Sequence, residues 1–495
     1  MEERSANETT YKKDNKEPNL WVSLIPIIAL VAMVALSIVL YGDDSLNGGN
    51  QISLLVASGF CVCLSMWIYK TPWKKFEDAI KNTIGNASVS IIILLIIGML
   101  SGSWMISGVV PTLIYYGIQI MSPEFFLASS CIICAVVSVM TGSSWTTIAT
   151  IGMALLGIGD ALAVPNYWTA GAIISGAYFG DKISPLSDTT VLASSSTGTD
   201  LFSHIRYMLY TTTPTMVITL TVFFIAGFWY GGNTDSNIAQ YTEGLASTFN
   251  ITLWVLVVPL ITTVLIAKKV PSLITLFVSA LAAGIMAIIC QRGVLLEVAD
   301  AEVGNATNIV KGLMTTFFGS TSVDTGNSTL NDLVSTGGMG GMLPTIWLII
   351  CAMCFGGVMI ASGMLQSITN VILRWIKNRI GLVGSTVGSG IIMNLATSDQ
   401  YISIILTANM YKDIYEEQGY ESRLLSRTTE DAVTVTSVLI PWNTCGMTQS
   451  TILGVSTLAY MPYCVFNYVS PLMTIIVAAT GWKIRNKKNQ NTKKT

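Results

Sequence analysis

The sequence predicts an all-α polytopic membrane protein. It is read as two inverted repeats, each with five transmembrane helices plus one re-entrant hairpin, and with one broken helix per repeat. Three observations predict this. Only 11% of the 495 residues are charged, against roughly 25% in soluble chains, while 52% are apolar and the mean hydropathy is +0.61. Apolar runs close to the roughly 20 residues that cross a core of about 30 Å recur along the chain. The order of these runs occurs twice, in opposite orientation. The composition excludes a soluble enzyme, a disordered chain and a nucleic-acid binder, and the net charge of −2 says little because the charges are so unevenly placed.

Residues 1–19 are polar and highly charged. They read as a disordered cytoplasmic tail, since no cleavage site follows the first apolar run. The first repeat, 20–230, has spans at 20–41, 52–69 and 89–107, a helix–break–helix hairpin with a polar tip at 124–159, a span interrupted by polar residues, Gly and Pro at 167–198, and a last span at 214–230. An outer loop is expected at 231–250. The second repeat, 251–482, has spans at 251–267, 272–290 and 344–362, a hairpin at 382–411, an interrupted span at 430–460 and a last span at 463–482. Its outer loop at 291–343 is rich in Gly, Asn, Ser and Thr, and a basic cytoplasmic tail, 483–495, follows. The amphipathic stretch 364–380, with Arg374, Lys377 and Arg379, is placed on the inner membrane surface.

Positive charge orients the spans. Twenty-three of the 26 basic residues fall on the side of the N-terminus, only Arg292 and Lys311 lie in outside loops, and Lys182 sits within an interrupted span. That side is therefore cytoplasmic. The count works only if both hairpins return to the side they enter from, although two full spans each would give the same parity. The repeats pair at an offset of 255, aligning Ser107-Gly108 with Ser362-Gly363 and Ser143-Ser144 with Ser398-Asp399, while Pro185 to Asp188 aligns with Pro441 to Thr444 one residue later. Opposite orientation of two such copies is the arrangement of many secondary transporters.

Unwound backbone at membrane depth is tolerated only where it is buried in protein or lines a cavity. Four such places are expected: tips at Thr141 to Thr147 and Asn394 to Gln400, and breaks at Gly180 to Thr190 and Glu430 to Thr444. Their hydroxyls, carbonyls and carboxylates suit a small hard cation. An intramembrane carboxylate costs roughly 2.5–3.5 kcal/mol on insertion scales, so it needs a reason to be there. Asp181, Asp188 and Asp399 are the candidate cation- and proton-binding groups. Ser143, Ser144, Thr146, Ser184, Ser187, Thr190, Asn394, Ser398, Thr436, Asn443 and Thr444 are expected to line the site. Glu430, Asp431, Lys182 and His204 are secondary candidates. Structural pairing, for instance of Asp181 with Lys182 or Arg427, is the plainer alternative. His204, the one histidine, is expected in an interfacial inner helix. The nine cysteines read as packing residues, without a disulfide or zinc pattern. Most tryptophans, Trp375 among them, sit near span ends as belt anchors, whereas Trp145 and Trp442 border breaks.

At these motifs the sequence resembles the NhaC family of Na+/H+ antiporters, in the wider ion-transporter superfamily. TGSSWTT (141–147), the block at 176–214, SDQY (398–401) and LLSRTTEDAVTVTSVLIPWNTCG (424–446) carry the resemblance, which spans almost the whole membrane region. It implies two inverted repeats meeting at a central site and the exchange of Na+ for H+, and the reading of the carboxylates places Na+ at Asp181, Asp188 and Asp399, with no cofactor expected. The family also includes an exchanger of protonated malate for Na+ and lactate. A sodium-coupled carboxylate exchanger is therefore the second reading, with malate or lactate as cargo. No Arg anchor lies at the breaks and only Lys182 is near, which favours the cation. The lipid bilayer is the expected surroundings, the cell membrane the expected location, and a homodimer the candidate assembly. Gly157-Ile158-Gly159-Asp160 matches the G-x-G-D pattern of intramembrane aspartyl proteases, but the partner Tyr-Asp pair is absent and Asp160 is expected in an outer loop.

Overall fold

The computed structural model describes residues 18–41, 45, 47–230, 235–326, 328–374 and 376–484. The tail segments 1–17 and 485–495, and Trp375, lie outside the described residues. Among those described, the fold is helical, and the β pairing consists of an isolated antiparallel bridge between Thr321 and Thr336. Eight helices are long and apolar enough to cross a bilayer, or up to ten if each of two bent pairs counts as one span. This is a multi-pass membrane protein. Its outer faces carry Trp67, Val39, Ile120 and Trp229 exposed, the expected surface for lipid.

The helix Trp73–Ile106 runs well beyond the expected span. At 1.5 Å per residue it is about 51 Å long, and its first turns carry the exposed Lys74, Glu77 and Asp78. A short helix, Val109–Ile120, follows Gly108 and was not expected, because its 12 residues are too few to span. The stretch expected on the inner surface forms the equivalent helix Met364–Leu373 after Gly363. One face of it, Met364, Leu365, Ile368 and Ile372, is buried against the first helix and Arg379–Thr397. Arg379 instead ties to the last helix, donating to the carbonyls of Ala478 at 2.5 Å and Ala479 at 3.1 Å.

Both expected outer loops contain folded structure. Residues 231–250 include the helix Asp235–Thr248, and residues 291–343 include Arg292–Val298, Ala306–Phe318 and Ser328–Val334. Ala306–Phe318 buries Ile309, Gly312 and Thr316 on one face. That helical period is hidden by a composition too polar for a span. Asp160 lies in the last turn of Met153–Ala161, not in a loop, and accepts a hydrogen bond from Tyr241 at 2.7 Å.

Each expected hairpin is a pair of helices around a tight tip. The first pairs Pro123–Thr141 with Ser144–Ala161, whose second turn widens to a π-helix at Ile148–Gly152. The second pairs Arg379–Thr397 with Gln400–Glu417. Each arm is about 27 Å long, close to a full span. Close packing sets the first broken helix beside the first hairpin: a Cβ on Gly176 would lie 2.1 Å from the Cys131 carbonyl oxygen. Only glycine permits that approach.

Candidate functional site

The two tips use the same hydrogen bonds. In the first, Gly142 is left-handed (φ 67) and the Ser143 hydroxyl accepts from the Thr146 N–H at 3.2 Å. Thr141 Oγ1 accepts from the Ser143 N–H at 3.2 Å, and Thr147 Oγ1 donates to the Ser143 carbonyl at 2.9 Å. In the second, Ser398 is left-handed (φ 60) and the Asp399 carboxylate accepts from the Ile402 N–H at 2.9 Å. Thr397 Oγ1 accepts from the Asp399 N–H at 3.3 Å, and Ser403 Oγ donates to the Asp399 carbonyl at 2.7 Å. Ser143 therefore corresponds to Asp399, one residue further than the pairing read from sequence. Each cap satisfies an N–H that begins a helix.

The breaks are built alike. Asn166–Ile183 ends before Ser184 and Pro185, and Ser187 caps Asp188–Thr197. The second broken helix passes from Ser422–Thr429 through a π turn at Glu430–Thr434 and a 3-10 turn at Ser437–Leu439 to Pro441. Asn443 then caps Thr444–Leu453.

Tip meets break in each half. Asp181 accepts from the Ser144 N–H at 3.2 Å and hydroxyl at 2.7 Å, and from the Ser187 hydroxyl at 2.6 Å. In the second half the Thr444 N–H donates to the Ser398 carbonyl at 2.8 Å, and the Thr444 hydroxyl donates to Asp399 at 3.3 Å. Asn443 Nδ2 donates to the Asn394 carbonyl at 3.2 Å and Trp442 Nε1 to that of Leu395 at 2.9 Å. The carboxylate thus sits on the break in one half and on the tip in the other.

Several expected lining groups serve the backbone. Thr190 Oγ1 donates towards the carbonyls of Asp181 (3.2 Å) and Lys182 (3.1 Å), Ser184 Oγ to Val139 (2.8 Å) and Thr436 Oγ1 to Ala432 (2.5 Å). Asn394 Nδ2 reaches the Val433 carbonyl at 2.7 Å. These bonds close open helix ends. Ser143 and Thr146 face the cavity described next.

A cavity of about 410 Å³ opens against the first tip and first break. Asp181, Asp188, Ser143, Thr146 and Trp145 line it from the first half, Gln400 and Tyr401 from the second tip, and Lys269 from the turn between two spans. Asp188 is exposed there and Asp181 buried. Asp399 is buried in its own tip and does not line this cavity. Among the described residues no group of three His, Cys, Asp or Glu is placed to hold a metal. A second cavity, lined by Asn166, Pro344, Thr451 and Ser456, lies at the other end of the first broken helix, about 22 Å away along its axis.

Behind the cavity lies a buried ionic layer. Lys182 pairs with Asp431 rather than with Asp181, and also donates to Ser470 at 2.8 Å. Arg427 Nε lies 3.9 Å from Asp431, with its guanidinium 4.6 Å over the Tyr207 ring. Glu430 accepts from the Thr189 hydroxyl at 3.0 Å. His204 is fully buried, its Nδ1 2.5 Å from Ser426 Oγ. Sequence reasoning missed Thr189, although it sits in the break already singled out, and Lys269, which only the fold brings to the cavity.

Broken helices, hairpin tips and a carboxylate-lined cavity inside a bundle of spans are the build of a membrane transporter. The chain belongs to the Na+/H+ antiporter family, whose model matches residues 3–195 and 176–482. It is 36% identical to a malate-2H(+)/Na(+)-lactate antiporter of Bacillus subtilis (strain 168), over 97% of this chain and 99% of that one. It is 34% identical to the Na(+)/H(+) antiporter NhaC of the same strain, over 86% and 91% of the two chains. It is also 34% identical to the arginine/ornithine antiporter ArcD of Halobacterium salinarum, over 95% and 93%.

Proposed function

We propose that the protein exchanges Na+ for H+ across the cell membrane by alternating access at the cavity between the tips and breaks. The observation that carries this is the pair Asp181 and Asp188 on one cavity wall, at the start and end of a helix break. A cation entering there meets one exposed carboxylate, one buried carboxylate and the N-terminal turn of Asp188–Thr197. Protons compete for the same carboxylates, so loading one cargo unloads the other. Asp399 supplies the corresponding charge in the second half, and Glu430, Asp431, Lys182 and His204 support the site from behind. The matched tips support reading 20–230 and 251–482 as two inverted repeats, and the charge bias supports cytoplasmic termini. The cavity beside Lys269 is then open to the cytoplasm and the second cavity faces outside. Proteoliposomes carrying an imposed Na+ gradient should move protons without any organic acid.

A second reading, sodium-coupled exchange of a small carboxylate such as malate or lactate, is favoured by Lys269 on the cavity wall and by a volume far beyond that of Na+. It predicts that Na+-driven flux requires malate or lactate inside the vesicle.

A further inference from the structure

Four buried side chains form a continuous line between the two halves. Asp181 Oδ1 accepts from Ser187 Oγ at 2.6 Å; Ser187 Oγ lies 3.0 Å from Thr189 Oγ1; Thr189 Oγ1 meets Glu430 Oε1 at 3.0 Å. All four residues are closed to solvent or nearly so. One end is at the cavity and the other is beside the ionic layer.

The hydrogens of this line can be counted. Three contacts need three protons, and each hydroxyl supplies only one. With both carboxyl groups ionised, Ser187 donates to Asp181 and Thr189 donates to Glu430, and nothing lies between the two hydroxyls. One carboxyl proton completes the line in either of two ways: Glu430 to Thr189 to Ser187 to Asp181, or the reverse. Glu430 forms no ion pair of its own among the described residues, and the nearby Lys182 charge is shared with Asp431. Lys182 is taken by Asp431 and Ser470, Arg427 faces Asp431 and Tyr207, His204 faces Ser426, and Asp188 lies on the cavity side. Glu430 Oε2 makes no close hydrogen bond among the described residues, and the Thr434 hydroxyl is a nearby neighbour of the carboxyl. An unpaired buried carboxylate anion is costly, whereas the same group protonated can donate along the line.

We infer that Asp181 and Glu430 share one proton through the Ser187 and Thr189 hydroxyls, and that a cation arriving at Asp188 drives this proton to Glu430. The step breaks the O–H bond at Asp181 and makes one at Glu430. Each hydroxyl passes its own proton on as it receives another, so no charge enters or leaves the line. Glu430 thereby holds the proton that the cation displaces from Asp181 until the proton is released, without itself lining the cavity. This rests on the Na+/H+ exchange proposed above.

The test is infrared difference spectroscopy of the protein in lipid on adding Na+, run beside Na+-driven proton flux. Wild type should lose one carboxylic-acid carbonyl band, from Asp181, and gain a second at a different frequency, from Glu430. E430Q and T189V should lose that gained band, and T189S, which restores the hydroxyl, should keep it. A gained band that persists in E430Q, a T189V spectrum equal to wild type, or no gained acid band in a wild type with intact flux overturns the shared proton alone. Absence of Na+-driven flux overturns the exchange reading and this inference with it.

Discussion

Asp188 and Asp181 differ in what surrounds them, and the difference sets their expected behaviour. Asp188 is exposed in the cavity, whereas Asp181 already accepts three hydrogen bonds. Asn keeps the shape but cannot ionise, so D188N and D181N should each abolish Na+-driven proton movement in proteoliposomes while protein still inserts. Retention of near wild-type flux by both would remove the cation site from this cavity. Thr190 makes a different case. Its hydroxyl closes the carbonyls of Asp181 and Lys182. T190A should therefore lower thermal stability by about 1 kcal/mol, the net worth of one hydrogen bond, with little change in KM for Na+. Asp160 is tied to Tyr241 at the far end of the first hairpin, and D160N should transport nearly as well as wild type.

At the scale of elements, the two broken helices are joined by charge. Lys182 at the end of the first and Asp431 in the second are both completely buried. Removing one partner of a buried pair costs about 3–5 kcal/mol, whereas replacing both with apolar residues is often near neutral. K182M leaves Asp431 with Arg427 as its remaining counter-charge, whereas D431M strips both buried cations of their carboxylate, so D431M should unfold at a lower temperature in detergent than K182M. Equal stability of D431M and wild type would mean that this layer does not hold the breaks together. The contact of the first hairpin with the first broken helix depends on a missing side chain at Gly176. G176L should prevent that approach, and loss of folded protein on size-exclusion chromatography would register it.

For the whole molecule, two cavities sit at opposite ends of one helix, with Ser90 lining the first and Thr451 the second. With the orientation given by the basic residues, S90C should react with a membrane-impermeant thiol reagent only from inside, and T451C only from outside. Cysteines at Ser5, Asn378 and Asn491 should be unreachable from outside intact cells. External labelling at any of the three would reverse or break the topology.

The sequence by itself determined the membrane class, most spans, and where helices break. Those properties are local: apolar length answers to bilayer thickness, and Gly, Pro and capping residues act within a turn of where they stand. Ser143, Ser187, Asp399 and Asn443 stood out in the sequence as polar groups at breaks, and the structure makes each the cap of a helix. Membership of the family was legible in the same four motifs. Only the tertiary structure decided which charges meet. Lys182 neighbours Asp181 in the chain yet pairs with Asp431, and Thr189 reaches Glu430 across 241 residues of chain. It also decided that Met364–Leu373 and Ala306–Phe318 are packed elements, that His204 is buried, and that Lys269 reaches the cavity. A side chain's partner depends on which helices pack and how they are rotated, and spacing along one chain carries no record of contacts more than two hundred residues away.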